Sequence, residues 1–137
     1  MELDFTALSW VAIAVGIIAG QVVSTIWFVV LFGEPWAREY GAKSKKQHTQ
    51  EVPPYTYGVG LVCTAALVVS IALLQHALRI QTVGAAIQLA IFLSVGLCVA
   101  TGVPGQAFLR RWRVALIACG SQVAMILVIS TVLVLLG

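Results

Sequence analysis

Charge is what this 137-residue chain has least of: eight Lys or Arg, five Asp or Glu and two His. No charged side chain falls in the middle of an apolar stretch. Ionisable residues at membrane depth are the usual carriers of protons and coupling ions, so their absence argues against ion-coupled chemistry. His76 lies near the end of an apolar stretch with no second intramembrane His, so bis-His haem ligation is not expected and an interfacial position is. Cysteine is scarce too. Cys63, Cys98 and Cys119 stand singly in apolar runs, with no CxxC and no Cys/His pair at metal spacing. They read as small buried hydrophobes. Phosphate-loop, nucleophile-elbow and zinc-hydrolase spacings are missing, and no Ser or Thr has a base to activate it. The expectation is a chain with no catalytic residues, no metal and no cofactor, hence not an enzyme.

What remains is apolar. The hydrophobic fraction is 61% and the mean hydropathy is +1.02, well above the roughly 45–50% apolar content of soluble domains. A small soluble core has no room for so many apolar side chains. Lipid as solvent removes the conflict. Four stretches, residues 8–32, 56–78, 83–108 and 114–136, each reach the length of about 20 residues that spans a bilayer. They predict an all-α single domain over 1–137, an antiparallel four-transmembrane-helix bundle with a charged loop between helices one and two.

The breaks between stretches agree with that plan. Gly33-Glu34-Pro35 punctuates the first helix. Residues 36–40 suit a short interfacial helix, with Trp36 and Tyr40 at headgroup level. The turn Arg79-Ile80-Gln81-Thr82 is so short that helices two and three must form an antiparallel hairpin. The start, Met1-Glu2-Leu3-Asp4-Phe5, is acidic and unlike a cleaved signal peptide, so the first stretch reads as a retained helix.

Basic residues sort by loop. The first loop carries Arg38, Lys43, Lys45 and Lys46, and the third carries Arg110, Arg111 and Arg113, whereas the second has Arg79 alone. The positive-inside rule then puts the first and third loops on the cytoplasmic side (matrix or stroma in an organelle) and both termini opposite. Because these cations lie in short loops and make no basic face on a soluble element, they are topology signals and not a nucleic-acid surface.

Within the stretches, Ala12, Gly16, Gly20 and Ser24 recur every fourth residue. Small residues let helix backbones approach closely, either inside the bundle or against a partner chain or second copy. Gln21, Gln88 and Gln122 are expected to face inward, since an amide in hydrocarbon needs a partner. Thr101 and Pro104 add a polar group and a helix break, with Pro104 expected to free the Ala100 carbonyl and kink the helix. These five residues would line a polar path if one exists.

Residues 27–36 read Trp27-Phe28-Val29-Val30-Leu31-Phe32-Gly33-Glu34-Pro35-Trp36. This resembles the W-Y-S-P-x-x-F-G-x-x-W-like signature of the domain of unknown function 1761 family, small membrane proteins of similar length. Trp27, Phe32, Gly33 and Trp36 match. Phe28 replaces a hydroxylated aromatic, Val29-Val30 replaces Ser-Pro, and Gln122 sits where more polar residues are common. The resemblance implies a four-helix membrane fold and carries no activity. Physically, Trp27, Phe32, Gly33, Trp36 and Trp112 read as anchors and exits at the bilayer boundary.

Two functions fit. The first is a non-catalytic accessory or structural subunit of a larger membrane complex, packing through small-residue faces against other subunits and lipid. The alternative is a small homodimeric transporter or channel for a polar solute. A lipid- or quinone-associated enzyme is a more distant third.

Overall fold

The computed structural model describes residues 3–137; Met1 and Glu2, the beginning of the acidic start, lie outside the described residues. The first helix begins where a cap is available. The Ser9 hydroxyl accepts from the Ala12 N–H at 3.3 Å, satisfying one of the orphan donors at a helix start. From there α1 (Trp10–Thr25) runs directly into a π-helical segment, π1 (Ile26–Leu31). Its wider turn is closed by the Phe32 N–H donating to the Trp27 carbonyl five residues back, at 2.9 Å.

The first span ends just before Gly33-Glu34-Pro35, and the short helix expected over 36–40 follows, starting three residues earlier. The bend falls at Phe32 (φ −120°, ψ 17°), and α2 (Gly33–Glu39) begins at once. Pro35 is tolerated because it occupies the first turn, where a missing N–H has no intrahelical acceptor to disappoint. A further short helix, α3 (Lys45–Glu51), follows after Ser44, whose hydroxyl accepts from the Gln47 N–H at 3.2 Å.

The second span is α4 (Tyr55–Ala77). The third joins α5 (Val83–Leu93), a second π-helical segment π2 (Ser94–Val99) and α6 (Ala100–Phe108). The fourth is α7 (Trp112–Leu136). Together with Trp10–Leu31, these four helices are long and apolar enough to cross a bilayer, and among the described residues there is no strand. The fold is an all-α, antiparallel set of four spans, and the protein is a multi-pass membrane protein. The third span departs from α-helical geometry at π2, upstream of Pro104, and α6 continues as helix through the proline. A widened turn just before Ala100 gives the pyrrolidine ring the room it demands four residues back.

The turns after spans two and three use one device. Arg79 (φ 54°) and Arg110 (φ 56°) both take the left-handed conformation. Behind them Ile80 donates to the Gln75 carbonyl and Arg111 to the Gln106 carbonyl, each at 2.9 Å. This is the Schellman closure, usually made with glycine. An arginine there costs about 1–2 kcal/mol relative to glycine.

The core sits along α7, the one span that packs against all the others. On α7 the buried residues Ile117, Ser121, Met125, Ile129 and Leu133 step by four. On α1 the buried Ala12, Gly16 and Gly20 step by four as well. Matching ridges of this period interlock in the commonest helix-packing class. The terminal-side half of α4 completes the core through Val68 and Ile71. Helices two and three run antiparallel on either side of their short turn, as expected, yet α4 and α5 scarcely touch. The reason is that α7 is wedged between them. Ser130 of α7 receives the Gln75 side chain from α4 at 2.7 Å and donates to the Ala86 carbonyl of α5 at 2.9 Å. An apolar groove of about 380 Å³ is left between the two helices, floored by Ile126 and walled by Leu67, Ile71, Leu93 and Leu97.

Candidate functional site: the basic face and the polar residues of the spans

The first and third loops meet on one face, and aromatic and cationic side chains join them. The widened turn of π1 directs Trp27 across to α7, where its indole N–H donates to the Ile117 carbonyl at 2.9 Å. The ring lies on Gly120, where a Cβ would stand 2.6 Å from Trp27 Cζ2. Glycine is therefore required for the indole to reach the helix backbone. Phe32 packs on the same indole with centroids 4.9 Å apart.

A second run of rings starts at Phe28. Its neighbour Trp36 is at 4.8 Å, Tyr40 follows at 5.0 Å, and His48 at 5.4 Å. The tilted geometries are the favourable ones for aromatic pairs. Trp36 and Tyr40 are four residues apart around α2, which puts them on one side of that helix. The Arg111 guanidinium sits 5.2 Å from the Tyr40 ring centroid, within cation–π range, and donates to the Glu39 carbonyl at 3.1 Å. Arg113 approaches the Glu39 carboxylate at 4.0 Å but is largely exposed, so that pair adds little.

Lys45 is used in the same way. Its ammonium donates to the Val29 carbonyl at 3.1 Å, and its backbone N–H donates to the Glu34 carboxylate at 3.2 Å. The lysine stem crosses Gly33 so closely that a Cβ there would stand 2.5 Å from Lys45 Cδ. The cations of this face that make contacts thus mostly cap carbonyls and rings. Arg38, Lys43, Lys46 and Arg110 are exposed, and Trp112 is exposed beside them.

The residues expected as boundary anchors therefore have divided roles. Trp27, Phe32, Gly33 and Trp36 form a folded knot that ties the end of span one to α2, α3 and span four, while Trp112 projects outward. Among the described residues no three His, Cys, Asp or Glu side chains gather where a metal ion would fit.

The small-residue stripe of α1 is consumed within the chain. A Cβ on Gly16 would stand 3.0 Å from Val68 Cγ1, and one on Gly20 would stand 2.9 Å from Thr64 Cγ2 and 3.1 Å from Ile129 Cδ1. Ala12 is buried and Ser24 half-buried. The stripe is the seam on which α4 and α7 close.

Of the polar span residues expected to face inward, Thr64, Ser94 and Ser121 are buried, Thr25 and Ser70 are exposed, and the amides do not gather. Gln21 is half-buried and donates to Thr64 Oγ1 at 2.8 Å. Gln88, Gln122, Thr101 and Pro104 are exposed, with the Thr101 hydroxyl turned back onto the Leu97 carbonyl. Gln122 is a particular case. It lies four residues from Ile126 and seven from both Ala115 and Ile129, all buried. By register it belongs to the inner side of α7, yet it is exposed. The residues at 53–63 are exposed at every position.

Two polar residues of the interior escaped the sequence reading. Gln75, 5% exposed, donates to the Ser130 carbonyl at 2.9 Å and to its hydroxyl. Gln75 sits beside His76 and reads as the end of a helix, and Ser130 is one hydroxyl in a long apolar run. Periodicity alone does not pair them. Ser94, 1% exposed at the start of π2, has no hydrogen-bond partner for its hydroxyl among the described residues.

No curated protein and no solved structure matches this chain. The four signature residues of the knot, Trp27, Phe32, Gly33 and Trp36, fall inside a family match that runs from residue 11 to residue 134. Covering all four spans, that match makes the chain a member of the family described as "Protein of unknown function (DUF1761)".

Proposed function

We propose that this protein is a non-catalytic structural subunit of a larger, multi-subunit membrane complex. The observation that carries the reading is Gln122. Its carboxamide is exposed near mid-span on α7 and has no hydrogen-bond partner among the described residues. An amide left unpaired in hydrocarbon costs about 4–8 kcal/mol on alkane transfer scales, comparable to the whole stability of a small domain. A neighbouring helix that supplies a donor and an acceptor removes that cost. Gln88 on α5 makes the same demand nearer the other face. The open half of α4, with Gly58 and Gly60 facing nothing within 4 Å, offers the smooth surface on which such a helix could close.

The homodimeric transporter draws less support. Its expected path residues Gln88, Gln122, Thr101 and Pro104 stand exposed and apart from Gln21. We further propose that the basic face is cytoplasmic (matrix or stromal in an organelle), since seven of the eight Lys and Arg residues lie in loops one and three and Arg79 alone lies opposite.

The test is extraction in a mild detergent followed by native mass measurement. The expected particle is larger than two copies of this chain and contains unrelated membrane chains. Gln122→Leu should reduce their recovery. A lone chain or a simple pair in every mild detergent sinks the proposal.

A further inference from the structure

The face opposite the basic loops carries a cavity of about 700 Å³, lined among others by Ser9, Gln75, His76, Arg79 and Gln81. Its floor is defined by Gln75. The Ser130 carbonyl can only accept, so it fixes the amide nitrogen of Gln75 toward itself and turns Oε1 the other way. No donor among the described residues meets Oε1, and that oxygen is not sealed off in the interior. Gln75, 5% exposed and part of this cavity's lining, thus keeps a carboxamide oxygen with no donor among the described residues. Such an acceptor is open to a donor from whatever fills the space.

Four residues on, just past the end of α4, Arg79 lines the same cavity. Its left-handed backbone belongs to the Schellman closure of that helix. His76 stands between them. A carboxamide acceptor and a guanidinium-bearing residue in one lining, four residues apart in the chain, match a molecule with an N–H donor at one end and an anion at the other. Guanidinium recognises carboxylate and phosphate through paired hydrogen bonds. The volume lies in the range of small-molecule sites.

We propose that this cavity binds small zwitterions, with a primary ammonium donating to Gln75 Oε1 and a carboxylate or phosphate held by Arg79. A free amino acid and the headgroup of an ethanolamine phospholipid share this chemistry. The site goes beyond the subunit role and does not depend on it.

The test uses the full chain in nanodiscs of phosphatidylcholine, whose quaternary ammonium has no N–H to donate. L-serine is titrated calorimetrically, with acetate and methylammonium as the two halves. In a second arm, phosphatidylethanolamine replaces part of the lipid and the melting temperature is followed. Saturable L-serine binding assigns the site to a soluble ligand; a rise in melting temperature in the second arm alone assigns it to the headgroup. Either response should fall about tenfold or more in Arg79→Gln, an exposed position whose melting temperature without ligand should not change. It should also be lost in Gln75→Leu. The proposal is overturned if neither arm responds, if Arg79→Gln responds like the parent, or if acetate binds as tightly as L-serine.

Discussion

The two halves of α4 are both strongly apolar and have opposite fates. Toward the terminal face, Thr64, Val68, Ile71 and Gln75 are buried at steps of three and four. Toward the basic face, every residue from 53 to 63 is exposed. Small residues do not explain the difference, because the open half has its own in Gly58 and Gly60. The packed half succeeds because Gly16 and Gly20 stand opposite Val68 and Thr64, so that backbone meets side chain without a gap. In lipid, where the solvent is as apolar as the core, helices close only where their surfaces complement each other.

The strongest way to break this contrast is to fill the seam. Gly20→Leu places a side chain where even a Cβ would sit 2.9 Å from Thr64 and 3.1 Å from Ile129. Overpacking of this kind costs about 1–3 kcal/mol, and this site should fall at the upper end because both neighbours are β-branched. Gly58→Leu, where a Cβ meets nothing within 4 Å, should leave the isolated chain within about 0.5 kcal/mol of the parent. Unfolding in a fixed detergent micelle measures both. Equal losses at the two positions would show that the open half is packed in solution.

The knot on the basic face supplies the next step down. Trp27→Phe keeps a ring on Gly120 but removes the donor to the Ile117 carbonyl, and should cost about 1 kcal/mol. Gly120→Ala attacks the same contact from the other helix, since its Cβ would stand 2.6 Å from the indole. Gly120→Ala should also raise the tryptophan emission wavelength as the Trp27 indole loses its seat. If Gly120→Ala destabilises while Trp27→Phe, Gly120→Ala together does no more harm, the two residues act as one contact.

Smaller again is the bridge that begins the packed half. Gln21→Leu deletes the bond to Thr64, and interhelical hydrogen bonds of this type average about 0.6 kcal/mol. The Thr64 hydroxyl retains its bond to the Gly60 carbonyl, so it is not left orphaned. A double-mutant cycle with Thr64→Val should recover a coupling of that size. A coupling near zero would mean that the seam rests on Gly16 and Gly20 alone.

How far these features are legible beforehand follows from the same physics. The four spans are plain because a bilayer needs about 20 apolar residues and each stretch supplies them. The aromatic run from Trp27 to Trp36 is plain as a boundary, and the stripe from Ala12 to Ser24 as a close-approach face. Which helix the stripe meets is not, since an apolar helix surrounded by lipid shows no polar face to orient it. For that reason Gln88 and Gln122, expected inward, are found exposed, and Gln75 and Ser130, unremarked in an apolar run, are found paired. The segment π1 leaves no mark in composition, whereas π2 lies just upstream of Pro104, the one visible sign that the third span departs from a regular helix.

The smallest effect belongs to the tail beside the packed end. The Thr6 hydroxyl and then the Thr6 N–H donate to the Asp4 carboxylate, at 2.6 and 2.9 Å, and hold its pKa below the ordinary 3.8. Both bonds favour the charged form. A group with a lowered folded-state pKa binds fewer protons when folded than when unfolded, so its contribution is complete above about pH 3.8 and is lost as the pH falls through the lowered value. Because the carboxylate is fully exposed, only a slight tail-ordering effect is expected. The Asp4 carboxyl resonance should titrate below the ordinary value in the parent chain and return to it in Thr6→Ala. The melting temperature at neutral pH should not move in that variant. A parent titration at the ordinary value would remove the Thr6 bonds from the account of the terminal face, and leave the packed half of α4 to the glycine seam and the Gln75–Ser130 pair.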